Sequence, residues 1–489
     1  MAAALISQSL IKYTTNNNDN NRFGSSSSSI WNRGRGASLF NRLPSSTSLT
    51  FCSKTRYRPR QSGSLAVVSA FNSYDVVIVG AGIIGLTIAH QLLLHSDLSV
   101  AVVDAAVPCA GATGAGQGYI WMVHKTPGTQ KWELASRSRL LWEEFAQTMT
   151  HQGLDPLHLL GWNKTGSLLV GKTAQESVIL KQRVDELSKA GLKAQFLSAT
   201  ELLVQEPALA LEKEGGAAFL PDDYQLDARQ TVAYIEKINR QYTTAGRYRE
   251  YYHEPVKCLL RSGSRGEITA VQTSKNTLFS KKAVVIATGC WTGSLMPNLI
   301  RDLGVELSFP VKPRKGHLLV IKNFDFFKLN HGLMEAGYVG HQNATLESAV
   351  SGPLSVNHAE FTSISMTATM DTMGNLILGS SRQILGFNTD VDESIINCIW
   401  ERAGVFFPCL QELSLKSLSE RRNVRVGLRP YMPDGKPVIG PVPGLSNVFV
   451  AAGHEGEGLT LAMGTAEMIT DMVLGNHLKV DHKPYVVQS

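Results

Sequence analysis

"DVVIVGAGIIGLTIAHQLLL", residues 75–94, decides the fold. After Asp75 it runs 19 residues, Val76 to Leu94, without a formal charge. That length and apolarity are those of a membrane span. The punctuation inside it argues for something else. Tyr74–Val79 is a short β-rich apolar run, Gly80-Ala81-Gly82-Ile83-Ile84-Gly85 follows, and a helical pattern continues to about His95. A second β-rich run, Ser99–Val103, ends in Asp104. Strand, G-x-G-x-x-G, helix, strand and acid form a βαβ unit of about 30 residues. Gly80 allows the tight turn, Gly82 lets backbone approach a pyrophosphate, and Gly85 lets the helix sit close on the strand. The helix N-terminus offers unpaired N–H groups and a positive dipole to phosphates. Asp104 is placed to accept from ribose hydroxyls. Parallel strands buried on both faces are apolar throughout, which accounts for the missing charges. The stretch therefore predicts a nucleotide site and no transmembrane span.

The composition around it is ordinary for a globular chain of 489 residues: 43% hydrophobic and 18% charged, enough for two or three domains. The formal charge of +6 looks like a nucleic-acid signal until it is located. Residues 1–70 hold nine Lys or Arg and one acid, a net of 9 − 1 = +8, so the remainder carries 6 − 8 = −2. No nucleic-acid partner is expected. The same segment has 15 Ser, including Ser25–Ser29, and lacks the apolar core of a secretory signal. Basic, Ser-rich and acid-poor is the composition of an organelle transit peptide. It ends in Val68-Ser69-Ala70, which resembles a stromal processing site, so chloroplast is favoured over mitochondrion. The six cysteines include no C-x-x-C and show no metal spacing, which reads as reduced packing residues.

Two further segments choose the nucleotide. "KKAVVIATGCWTG", 281–293, is a second buried strand ending in Ala287-Thr288-Gly289, preceded by a segment that alternates and turns like a β-meander. In two-dinucleotide-fold flavoproteins such a strand passes beside the first and closes the FAD site. "VGLRPYMPDGKPVIGPVPGLSNVFVAAGHEGEGLTLAMGTAEMITDMVLG", 426–475, gives Arg429-Pro430, a Pro433-Asp434-Gly435 turn and a strand over Asn447–Ala452. Gly453-His454-Glu455-Gly456-Glu457-Gly458 then opens a helix from about Leu459 to Leu474, with Gly475 as its C-terminal cap. A glycine-rich helix start aims N–H donors at whatever sits there, and a reduced flavin is anionic on its pyrimidine side.

On these motifs the chain resembles the FAD-dependent D-amino-acid oxidase superfamily, in its glycine oxidase, sarcosine oxidase and D-amino-acid dehydrogenase branch, over roughly residues 74–478. "GATGAGQG", 111–118, is similar to the family's second cofactor loop, where Thr113 approaches the flavin. "QLDARQT", 225–231, is similar to its return into the FAD domain. The resemblance implies an α/β fold: a discontinuous Rossmann-like FAD domain over 71–160, 223–308 and 427–489, and a mixed-sheet α+β substrate domain over 161–222 and 309–426. It implies FAD held by Gly80, Gly82, Ile83, Ile84, Gly85, Asp104, Thr113, Gly118, Val256, Thr288, Gly289, Gly453, Gly456, Gly458 and Leu459. The family cysteine that links flavin covalently is missing from its expected place near Arg429, so the FAD is expected to be noncovalent.

The chemistry implied is oxidation of a small carboxylate-bearing amine or amino acid by hydride transfer to flavin N5. Arg429 matches the family's carboxylate-binding arginine; His454, in the "GH" dipeptide, is expected to shape its loop, and Glu457 to face solvent. The position that often carries a substrate-binding Tyr before "GNLILG" (374–379) is Thr367 here, and the tract 322–362 is long. Three alternatives therefore stand beside the amine oxidase: a 2-hydroxy-acid dehydrogenase of the same family, a flavin-binding assembly or scaffold protein without turnover and, least favoured, a nicotinamide dehydrogenase. The electron acceptor is left open among oxygen, quinone and a carrier protein.

Overall fold

The computed structural model describes residues 72–261, 266–339 and 362–487. The leader, and most of the long tract before residue 362, lie outside these residues. The opening stretch is a strand, Ser73–Val79, a turn and a helix, Ile83–His95. The strand is flanked in parallel by Val100–Val103 on one side and Thr277–Ile286 on the other, with Val76 opposite both Val100 and Ala283. Val76–Val79, Val100–Val103 and Ala283–Ile286 are all buried, the condition under which a strand needs no alternation. The sheet continues through Val448–Ala452 and Val438–Pro441 at one edge and Tyr248–Tyr251 at the other. The segment before residue 281 is the expected meander: Val256–Arg261, Ile268–Thr273 and Thr277–Ile286 pair antiparallel in sequence, and the last strand then enters the parallel sheet.

The C-terminal helix, Gly458–Leu474, is buried along most of its length. Its Leu461, Ala462, Ala466 and Ile469 share one core with Leu86, Ile88, Ala89 and Leu93 of the first helix. Gly475 ends it in the left-handed region, at φ 76°. No helix among the described residues is long and apolar enough to cross a membrane.

A second, mixed sheet of eight strands runs in the order Arg422–Tyr431, Lys312–Ile321, Leu376–Gln383, Thr362–Met370, Gly332–Glu335, Ser167–Gly171, Gly216–Leu220, Gln195–Ser198. Its two faces differ. Leu168, Leu319, Leu333, Met366, Ala368 and Leu378 pack against Ile396, Ile399 and Trp400 of the helix Glu393–Gly404. Alternate residues of the strand Thr362–Met370 point the other way, and there Ser365, Thr367 and Thr369 are buried as well. A buried polar sheet face is costly unless its groups have partners, and so marks where a site is built. The two-stranded ribbon Tyr119–Ile120 with Tyr224–Gln225 pairs segments distant in sequence, and Asp223 directly precedes its second strand.

Candidate active site

The glycines at the first turn have different neighbours. Gly80 has φ 115°, and a Cβ there would overlap the carbonyl oxygen of Ala287, so the turn is held against the end of the second buried strand. A Cβ on Gly85 would overlap the Gly80 carbonyl oxygen. Gly82 is unlike both. Its φ is −74°, and the nearest atom to a Cβ would be Thr113 Oγ1 at 3.4 Å. The chain itself leaves this space free. Thr113 Oγ1 also accepts from Ile83 N at 3.2 Å, which brings the loop 111–118 to the helix entry. Ile84 is half-buried on the same first turn, and Gly118, at φ 95°, closes that loop against Leu226.

Asp104 Oδ2 accepts from Ala81 N at 2.7 Å and its Oδ1 from Ala106 N at 2.7 Å. Each oxygen retains a lone pair for a ribose hydroxyl. Glu254 N donates to the Asp104 carbonyl at 2.9 Å, so the half-buried Val256 begins its strand close by. At the other buried strand Thr288 Oγ1 meets Thr292 Oγ1 at 2.9 Å, and Gly289 has no atom within 4 Å of a Cβ position. Gly456 and Gly458 are similarly open, with Arg429 Cδ at 3.6 Å and His454 Cβ at 3.9 Å as nearest neighbours. Gly453 takes φ 78° beside Met432, and the side chain of Leu459 stands over Gly116. Open glycines at three strand or helix ends are the cradle that a dinucleotide laid against backbone requires, and the residues fit FAD.

Arg429 is the third residue from the end of its strand, Arg422–Tyr431, and pairs with Arg314. Its side chain crosses the neighbouring strand at Gly316, where any Cβ would overlap the guanidinium, and Nη1 donates to the Ser381 carbonyl at 2.8 Å. Arg314 Nε donates to Glu455 Oε1 at 2.8 Å, and its guanidinium lies 4.6 Å from the Tyr431 ring centre. Burial would raise the Glu455 carboxyl, but Arg314, Arg429 and Arg382 outweigh it and hold the group below the usual range. Arg382 lies over the Tyr338 ring at 4.3 Å, and Tyr338 Oη meets Tyr119 Oη at 3.1 Å.

Glu457 does not face solvent. It is 3% exposed, with Lys125 Nζ at 2.7 Å, Lys131 Nζ at 3.0 Å and His124 Nε2 at 3.6 Å. Against burial, the two ammonium groups hold its carboxylate well below the ordinary range. Its place at a helix start adds the favourable dipole. His454 is buried and its Nε2 meets Thr465 Oγ1 at 3.0 Å; burial lowers its pKa to about 4, so it is neutral. Thr367, where a Tyr was looked for, donates to Gln117 Oε1 at 2.8 Å, while Gln117 Nε2 donates to Thr369 Oγ1 and the Ile377 carbonyl at 3.2 Å each. Gln117 thus ties the cofactor-side loop to the polar sheet face.

Sequence reading missed Gln117, Arg314, Arg382, Tyr338, Glu455 and the lysines of Glu457. One signal was present: Arg382 interrupts an otherwise uncharged strand, "LILGSSRQ", and Lys125 ends the apolar run "YIWMVHK". Charges at such places need buried partners.

The profile of the family described as "FAD dependent oxidoreductase" matches residues 75–472. Among curated proteins the chain is 25% identical over 447 residues to hydrogen cyanide synthase subunit HcnC of Pseudomonas protegens, covering 85% of this chain and 96% of the relative. It is 25% identical over 416 residues to glycine oxidase of Geobacillus kaustophilus, covering 84% and 96%. The crystal structure of glycine oxidase from Geobacillus kaustophilus superposes with a TM-score of 0.68 at 23% identity, over 85% of this chain and 99% of that one. L-proline dehydrogenase from P. horikoshii gives 0.68 at 19% identity, over 85% and 97%.

Proposed function

We propose, of a chain that belongs to the family of FAD-dependent oxidoreductases, that it oxidises a small amino acid or other amine bearing a carboxylate. Two relatives with near-complete coverage are a glycine oxidase and a cyanide synthase subunit, which supports a compact amino-acid substrate. The observation that carries the reading is Arg429. It is held across Gly316 by one bond to a backbone carbonyl, and no described carboxylate stands within ion-pair distance of it. An arginine so placed retains donors for a bidentate grip on a carboxylate.

FAD, when bound, supplies a hydride acceptor at N5. The protein's task is then orientation: fixing the substrate Cα within about 3–3.5 Å of the acceptor. Arg429 fixes the carboxylate end. Tyr119 and Tyr338 wall the same space with hydroxyls, and the glycine-rich entry of the helix Gly458–Leu474 presents N–H donors and positive dipole toward developing negative charge. His454, neutral and bonded to Thr465, holds that entry in shape. The open glycines at 82, 289, 456 and 458, with Asp104 and Thr113, would hold the cofactor without a covalent link, in a turn that Gly80 and Gly85 shape. A 2-hydroxy acid would satisfy the same grip. The intact Arg429 favours turnover over a scaffold role.

The test is anaerobic flavin reduction by a panel of amino acids, N-alkyl amino acids and 2-hydroxy acids. The best reductant is then titrated into wild type and Arg429→Lys at equal flavin content. Removing one partner of a buried charge pair costs about 2–5 kcal/mol, roughly 30-fold to several thousand-fold in affinity. Lysine keeps the charge and loses the fork, so a substantial part of that loss is expected, with FAD retained. Wild-type rate and affinity in Arg429→Lys would make Arg429 structural and end this assignment. Acid precipitation should release all the flavin to the supernatant.

A further inference from the structure

Charge on the polar sheet face does not balance. Among the described residues, three guanidiniums meet there, from Arg314, Arg382 and Arg429, with one carboxylate, Glu455. That carboxylate is taken by Arg314, through Nε and Nη2 together. Arg429 spends one donor on a backbone carbonyl. Arg382 is 3% exposed; its Nη1 donates to Ser365 Oγ at 3.0 Å and more weakly to Ser363 Oγ at 3.4 Å, and its Nη2 is buried with no hydrogen-bond partner among the described residues. Neither Arg382 nor Arg429 has a carboxylate within ion-pair distance among the described residues.

The two arginines belong to one place. Ser381, which accepts from Arg429, directly precedes Arg382. Arg382 covers the ring of Tyr338, whose hydroxyl meets that of Tyr119; the Tyr119 hydroxyl in turn lies 3.9 Å from a Cβ position on Gly456, beside Arg429 Cδ at 3.6 Å. A buried cation with an orphaned donor is expensive unless something anionic completes it. One carboxylate held by Arg429 would complete one of the two.

Resting on the reading above, we infer that the substrate carries a second anionic group, a carboxylate or a phosphate monoester, and that Arg382, with Ser365, binds it. The substrate class is then an amino or imino dicarboxylate, or an amino acid bearing a phosphate, rather than a neutral amino acid. Arg382 is assigned a specificity role: it selects and orients the far end of the substrate.

The experiment needs no turnover. FAD-loaded protein is titrated with non-reducing anions, and perturbation of the flavin absorption spectrum is read as binding. One arm uses dicarboxylates from oxalate to glutarate, a second uses phosphoglycolate, and a third uses monocarboxylates of matched chain length. At least one dianion should bind wild type roughly tenfold to a hundredfold more tightly than its monoanionic match, the range of a charged hydrogen-bond pair. The arm that shows this preference identifies the second group. Arg382→Met, of similar length, should remove the preference while monocarboxylates lose less than about threefold, and Arg382→Lys should restore part of it. Flavin content and melting temperature show that each variant is folded. The inference is overturned if wild type does not distinguish dianions, or if the preference survives in Arg382→Met. If Arg429→Lys then still weakens monocarboxylates, the proposed function stands without it. If Arg429→Lys weakens nothing, both fall.

Discussion

Glycine does three different jobs at the first turn and on the sheet face, and the structure separates them by what a Cβ would meet. At Gly80 and Gly85 the space is taken by backbone carbonyl oxygens of this chain, so those positions are demanded by folding. At Gly316 it is taken by the Arg429 guanidinium, so that glycine is demanded by the site. At Gly82 it is free but for Thr113 Oγ1 at 3.4 Å, and the backbone is in an ordinary region. Under the proposed function, Gly82 is the position kept free for the cofactor. Gly82→Val should fold, with a melting temperature close to that of the wild-type apoprotein, and purify without flavin. Gly85→Ala should be poorly soluble or melt well below wild type, because carbonyl and methyl cannot share the space. Flavin absorbance and thermal melts of the two variants check this, and a yellow Gly82→Val would show that the pyrophosphate does not pass there.

Among the elements, the ribbon Tyr119–Ile120 with Tyr224–Gln225 is fastened by one carboxyl group. Asp223, at the start of the ribbon's second strand, accepts at Oδ2 from Met122 N at 2.9 Å, Val123 N at 3.2 Å and Ser167 Oγ at 2.6 Å. It thereby joins the segment after the ribbon's first strand to a strand of the second eight-stranded sheet. It is fully buried, its Oδ1 has no partner among the described residues, and burial pushes its pKa up to about 6. Asp223→Ala leaves three donors in a closed space. Each orphaned group costs about 1–3 kcal/mol. The variant should melt several degrees lower, and its flavin should be lost at lower temperature than in wild type. An unchanged melting curve would mean that water replaces the carboxylate.

Taken whole, the molecule buries four histidines whose pKa values fall to about 4: His90, His124, His317 and His454, in each case chiefly through burial. In the unfolded chain each titrates near 6.5. Between those values the unfolded state binds protons that the folded state refuses, so acid favours unfolding across that window. Asp223, raised to about 6, and Glu236, also raised by burial, act in the opposite sense over part of it, two groups against four. Glu455 and Glu457, both held below the ordinary carboxylate range, add losses only at lower pH. The melting temperature should therefore hold above about pH 6.5 and fall steadily toward pH 4. Thermal melts at closely spaced pH values test it; a flat or rising trend from 6.5 to 5 would show that these rings are not buried neutral.

The dinucleotide unit was legible because everything that makes it is local: strand period, three glycines, a helix and an acid lie within one short segment, and their spacing alone fixes a turn. The C-terminal helix was legible for the same reason, from its glycine-rich entry to Gly475. Arg429 was found through its sequence setting, but the partner of its side chain was not, since pairing with Lys312–Ile321 decides what lies across from it. Whether Glu457 meets water or two lysines depends on Lys125, 332 residues away in sequence. Arg314 and Glu455 are 141 residues apart, and Arg429 and Ser381 are 48 apart. Such meetings follow from strand order and from which sheet face each side chain takes. A one-residue change of register turns a side chain to the opposite face, so the polar face and its unbalanced charge exist only in the assembled sheet.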